Sequence, residues 1–285
     1  WMTGFYIAQN YLENNVFHFF MNRVQKVIKG KIDFINELNK NDIKDLGELN
    51  CFNEIKKKSK GYLITTNDTK KLLLPNACID YIFTDPPYGD SVPYFEQSIL
   101  WNTWLNFKVN YKNEVVISNS KKRNKTIENF KIDIFECLKE IYRVLKPEKF
   151  FTLTFNSVSG KEWYALINGC QKVGFNIHKI EWMEQKTSSP RQLNRLKIIK
   201  GDLLITFKKT FNKKKIRSLN KIETENKTLE IVSKSLSTSK NNTKDLFLTI
   251  LKYFYKNNLL FDEINFIEVI SKNFEVNSDG NWSLK

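Results

Sequence analysis

Apolar residues at Val16, Phe20, Val24, Val27, Ile28, Ile35 and Leu38 recur at helical spacing along an otherwise polar segment. The pattern predicts an amphipathic helix whose stripe packs into a core. Beyond it the period shortens. GYLIT (61–65) and IDYIFT (79–84) read as strands, separated by a short helix and turn in NDTKKLLLPNA. A helix is expected over 94–105, followed by a long polar and basic loop. From residue 130 the alternation becomes regular: a helix over 130–145, a turn at KPEK, a strand over 150–155 and a helix over 160–173. Gly174 is placed as the C-cap, and strands over 175–183 and 202–207 follow.

Strands alternating with helices predict an α/β fold with a largely parallel sheet, closed by an antiparallel last pair. Residues 211–243 are rich in Lys, Asn, Ser and Thr with little apolar period, which reads as a linker. Two amphipathic segments after it precede EVNSDGNWSLK, where Asp279-Gly280 marks a turn between short strands. The predicted organisation is therefore a helical segment at 1–60, a catalytic domain at 61–210, a linker at 211–243 and a small helical domain at 244–285. A winged helix and a packing cap both fit this last domain.

Charge narrows the class of partner. A net charge of +15 and a pI near 9.4 point to a polyanionic partner. The basic residues cluster at 56–60, 121–125, 191–200 and 207–217, with Lys121, Lys122, Arg123, Arg191 and Arg195 as the candidate nucleic-acid contacts. Four scattered cysteines and two histidines make no metal-ligand spacing, so no metal is expected, and they suit a reducing cytoplasm. No apolar run is long enough to span a bilayer. The sequence begins with Trp1, and the expectation is that further sequence lies upstream of it.

The stretch TDPPYGD (84–90) carries the chemistry. It follows a buried-type strand, at the carboxyl end where open α/β sheets bind ligands. Two prolines restrict φ and hold the residue before each extended, which fixes the directions of the Asp85 carboxylate and the Pro86 carbonyl. Both acceptors can face one planar amino group, and Tyr88 offers a ring to a flat heterocycle. The exocyclic amine of a nucleobase is a poor nucleophile, and acceptors aimed at its hydrogens raise its electron density. Inside a duplex that amine is out of reach, so the base must be flipped out.

TDPPYGDSVPYFEQSILWNTWL resembles the catalytic motif and following helix of S-adenosylmethionine-dependent adenine-specific DNA methylases. CLKEIYRVLKPEKFFTLTF and SSPRQLNRLKIIKGDLLITF resemble the family's later helix, turn and strands. The resemblance covers roughly residues 1–210. It implies a Rossmann-like methyltransferase sheet, represented by its later strands, with Asp85, Pro86, Pro87 and Tyr88 as the base-holding residues. It also implies S-adenosylmethionine as cofactor, DNA as partner and a restriction-modification setting, with adenine favoured by DPPY. RNA base amino-methylation and a non-catalytic DNA-binding subunit are the alternatives. The departure is the cofactor cradle: the family's FxGxG loop has no counterpart, because all ten glycines are isolated. The cradle is therefore expected upstream of Trp1 or on a second chain, an inactive remnant without one being the alternative.

Overall fold

The computed structural model describes residues 15–43, 46–55, 61–90, 92, 94–155, 160–183, 201–211, 215–239 and 241–284. They fall into two units, one over residues 5–67 and one carrying residues 68–285.

The smaller unit contains α1 (Val16–Lys40) and the single turn α2 (Phe52–Ile55). The Asn15 side chain caps α1 by accepting from the His18 amide at 3.0 Å. The helix was expected, but its stripe was expected in a core and no residue of α1 is buried. Periodicity fixes which face is apolar, not whether anything covers it. Among the described residues, this unit adds only α2 and an isolated Glu48–Tyr62 bridge, too little to cover 25 helical residues. The strand expected over 61–65 is reduced to that bridge.

The larger unit is built on a four-stranded sheet of β1 (Ile79–Thr84), β2 (Leu145–Phe155), β3 (Phe175–Met183) and β4 (Asp202–Lys209), in the order β1-β2-β4-β3. β1 and β2 are parallel, whereas β4 runs antiparallel to both β2 and β3. The mixed α/β sheet anticipated from the alternation is present. Between β1 and β2 lie α3 (Tyr94–Trp104) and α4 (Ile127–Val144). α4 starts at a capping box between Thr126 and Asn129, and it buries Phe130, Ile134, Leu138 and Ile141 at helical spacing against the sheet. The KPEK turn is instead a bulged start to β2, with Glu148 at φ 62° and a register shift opposite Ile79 and Tyr81. No helix forms over 68–77. Arg143 of α4 holds that segment through the Leu72 and Leu74 carbonyls and the Asn76 side chain, which replaces helical bonding with long-range bonding.

After β2 the chain forms α5 (Gly160–Trp163), a π-helical turn (Tyr164–Asn168) and α6 (Gly169–Val173), ended by Gly174 at φ 116°. The linker expectation for 211–243 is overturned by α7 (Lys221–Thr238). Asn220 and Glu223 form its capping box, and its buried face is made of Thr224, Thr228, Ile231 and Val232. Half of that face is threonine, so a hydrophobicity pattern does not find it.

The rest comprises β5 (Arg217–Ser218), β6 (Asn241–Asn242), α8 (Thr243–Lys256), β7 (Leu259–Leu260), α9 (Phe266–Asn273), β8 (Phe274–Val276) and β9 (Asn281–Leu284). The short sheet has the order β6-β9-β8. It is not a separate domain. Phe247 packs against Trp163 at 5.1 Å, Asn168 donates to the Phe261 carbonyl at 2.7 Å, and the Tyr255 hydroxyl donates to the Phe175 carbonyl. One hydrophobic core therefore runs from the large sheet into the C-terminal helices.

Candidate active site

Strand β1 delivers Asp85, Pro86, Pro87 and Tyr88 to the carboxyl end of the parallel pair. Asp85 is exposed, the prolines and Tyr88 are half-buried, and Gly89 is buried. The Tyr88 ring meets Phe155, the last residue of β2, edge-on at 5.1 Å and 80°. Burial raises the Tyr88 phenol well above its usual range, helped by the Asp85 charge and a hydrogen bond to the Asp85 carboxylate. The hydroxyl thus stays protonated beside Asp85. Tyr94, at the start of α3, is raised by the same two causes, burial first and then Asp85. Asp202 of β4 reaches this sheet edge and adds to the Tyr88 shift. Sequence reasoning missed Asp202. Its only signal is Gly201, held at φ 103° just before the strand.

Gly89 adopts φ 63°, and a Cβ there would lie 2.6 Å from the Glu162 carboxylate. The tyrosine must therefore be followed by glycine, both for the left-handed turn and to leave room for Glu162. Glu162, in α5, is buried and was also missed, because nothing local in GKEW marks it.

Behind the turn, between β1, β2 and α4, lies a cavity of about 270 Å³ lined by Asp85, Pro86, Pro87 and apolar residues including Phe151 and Leu153. Cys137 also faces it. Burial pushes the Cys137 thiol up to about 12, so it is a neutral thiol there and no thiolate nucleophile. Among the described residues no group of His, Cys, Asp and Glu is placed to hold a metal ion, and no helix is long and apolar enough to cross a membrane.

The basic loop closes as a hairpin. The Ser118 amide donates to the Lys125 carbonyl at 2.8 Å, and the Ser120 carbonyl accepts from Arg123 and Asn124. Lys121 and Lys122 are exposed at its tip. Arg123 is a correction to the expected trio of phosphate contacts: its side chain is only 6% exposed, with Nη2 2.8 Å from Glu96 and Nη1 2.9 Å from Glu114. The guanidinium lies over the rings of Phe95 and Tyr111. Glu114 also accepts from the Phe95 amide at the start of α3. Two carboxylates far apart in sequence turn this arginine inward, so it anchors the hairpin instead of facing solvent. Arg191 and Arg195 lie outside the described residues.

The family described as DNA methylase matches residues 79–274, from the first residue of β1 to the first of β8. No curated protein matches the sequence. Among solved structures, the cytosine-N4-specific PvuII DNA methyltransferase is 17% identical over 50% of this chain and 48% of its own, with a TM-score of 0.34. A Thermus thermophilus protein assigned as a DNA modification methylase, in complex with S-adenosyl-L-methionine, is 16% identical over 57% and 63%, with a TM-score of 0.31. The chain thus spans about half to three fifths of the length of these proteins.

Proposed function

Given that this chain belongs to the DNA methylase family, which its sequence matches over residues 79–274, we propose that it methylates the exocyclic amine of adenine in DNA, in a restriction-modification setting. The observation that carries the reading is the Asp85-Pro86-Pro87-Tyr88 turn at the carboxyl end of β1, with Asp85 open to solvent and the Tyr88 ring half-buried beside it. In this reading the free lone pairs of Asp85 and the Pro86 carbonyl hold the two amine hydrogens, which keeps the nitrogen lone pair directed away from the ring. Tyr88 supplies the face on which the flipped base rests. Lys121 and Lys122 meet the phosphate backbone, and Arg191 and Arg195 join them on sequence grounds.

S-adenosylmethionine is the proposed donor and would bring a methyl group activated on a sulfonium sulfur. The described residues suit the acceptor side of such a reaction. They do not fit the methionine end, because every glycine in this chain is isolated and β1 is an edge strand with Tyr81 and Phe83 exposed. We therefore expect weak binding of S-adenosylmethionine by these 285 residues, which calorimetry would show. Tight binding would reveal a cradle of another kind. The test of the function is the product: treated DNA should contain N6-methyladenine, and the Asp85→Ala variant should make at least about 10²-fold less.

A further inference from the structure

Beside the turn lies a second, larger cleft of about 630 Å³, bounded by Asp90, the 117–126 hairpin and Glu162. It is mechanically part of the same assembly. The Ile117 amide donates to the Gly89 carbonyl at 3.2 Å, and the Glu162 carboxylate fills the space beside Gly89. Its size suits a small organic group.

Its lining selects the chemistry. Asp90 and Glu162 present carboxylates, while Ser118, Asn119 and Asn124 add hydroxyl and amide groups. Lys125 also reaches the wall, but its ammonium lies 2.8 Å from Asp133. Lys121 alone adds an exposed positive charge, at the rim. A phosphate inside would face the exposed Asp90 carboxylate, whereas Ile117 and Ile127 offer a flat group an apolar contact beside the polar ones. A flat group rich in N–H donors suits it. Adenine, cytosine and guanine carry an exocyclic amine, and carboxylates accept from such amines, whereas thymine carries none.

We propose that this cleft holds the base of a nucleotide neighbouring the target and reads its amino edge through Asp90 and Glu162, with Lys121 on the adjoining phosphate. This rests on the DNA methylase reading and extends it from the reacting base to its sequence context. The hairpin is then one wall of a specificity pocket as well as a phosphate contact, and Arg123 holds that wall in place.

The test uses duplexes with one target adenine and each of the four bases in turn at the two flanking positions. Binding by wild type, Asp90→Asn and Glu162→Gln is read by fluorescence anisotropy, and the products by nucleoside mass spectrometry. At one flank, wild type should favour amino-bearing bases over thymine by about tenfold, and both variants should bring that ratio toward unity. If Glu162→Gln loses its fold, which circular dichroism reports, the exposed Asp90→Asn decides alone. Absence of a flank preference in wild type, or a preference unchanged in the folded variants, overturns the proposal. Methylated adenine without a flank preference would remove the pocket and keep the methylase. A flank preference that the variants abolish, without methylated adenine, would do the reverse.

Discussion

The turn at residues 85–90 and the hairpin at residues 118–125 lie side by side, joined through the Ile117–Gly89 hydrogen bond, but they are fixed by different means. The turn is largely shaped by its own sequence: two prolines limit φ, and a glycine takes the left-handed conformation. The hairpin is pinned from outside, by a buried guanidinium whose partners, Glu96 and Glu114, come from other segments. A stiff turn can present reacting groups with little support. A loop of lysines needs an anchor, and one of its own basic residues serves as that anchor.

Asp85 separates the two regions most sharply. Asp85→Ala removes an exposed acceptor with little packing role, so methyl transfer should fall by about 10²–10³-fold or more while thermal stability stays near wild type. Arg123→Ala does the opposite, leaving Glu114 poorly paired in a largely buried site. It should cost about 3 kcal/mol, at the lower end for a broken buried pair because Glu96 stays 43% exposed. Denaturant unfolding would measure this. Equal stability of the variant and wild type would return Arg123 to the surface.

Smaller effects follow from the tip and the ring. Replacing Lys121 and Lys122 by alanine should weaken binding across all sequences and lower the salt slope by about 2, one for each phosphate left without its lysine. An unchanged slope would mark them as ordinary solvated lysines. Tyr88→Phe keeps the ring and loses only the hydroxyl beside Asp85, which should cost about 1 kcal/mol or less in the rate. Tyr88→Ala should cost more, since base–aromatic stacking is worth about 1–3 kcal/mol. Equal activity of the two variants would take the ring out of the site.

The same contrast explains what the sequence made legible. β1, α4, β3, the Gly174 cap and the turn at Asp279-Gly280 are local: their periods and caps are written within a few residues. So was the motif that marks the candidate loop. What stayed hidden depends on partners far along the chain. Threonines bury α7 where a linker was expected, and the apolar stripe of α1 stays uncovered. Glu162 reaches the site only because α5 passes over Gly89, and Asp202 only because β4 returns antiparallel to the same sheet edge. Arg123 belongs with them, since its charge alone suggested phosphate contact and its burial requires Glu96 and Glu114.

The measurement that bears most directly on the central claim is nucleoside mass spectrometry of duplex DNA incubated with the protein and a large excess of S-adenosylmethionine, which offsets weak donor binding. Wild type should yield N6-methyladenine and Asp85→Ala at least about 10²-fold less, with both proteins folded and both bound to DNA. N4-methylcytosine as the main product would contradict the choice of adenine, and equal N6-methyladenine from the two proteins would contradict the role given to Asp85.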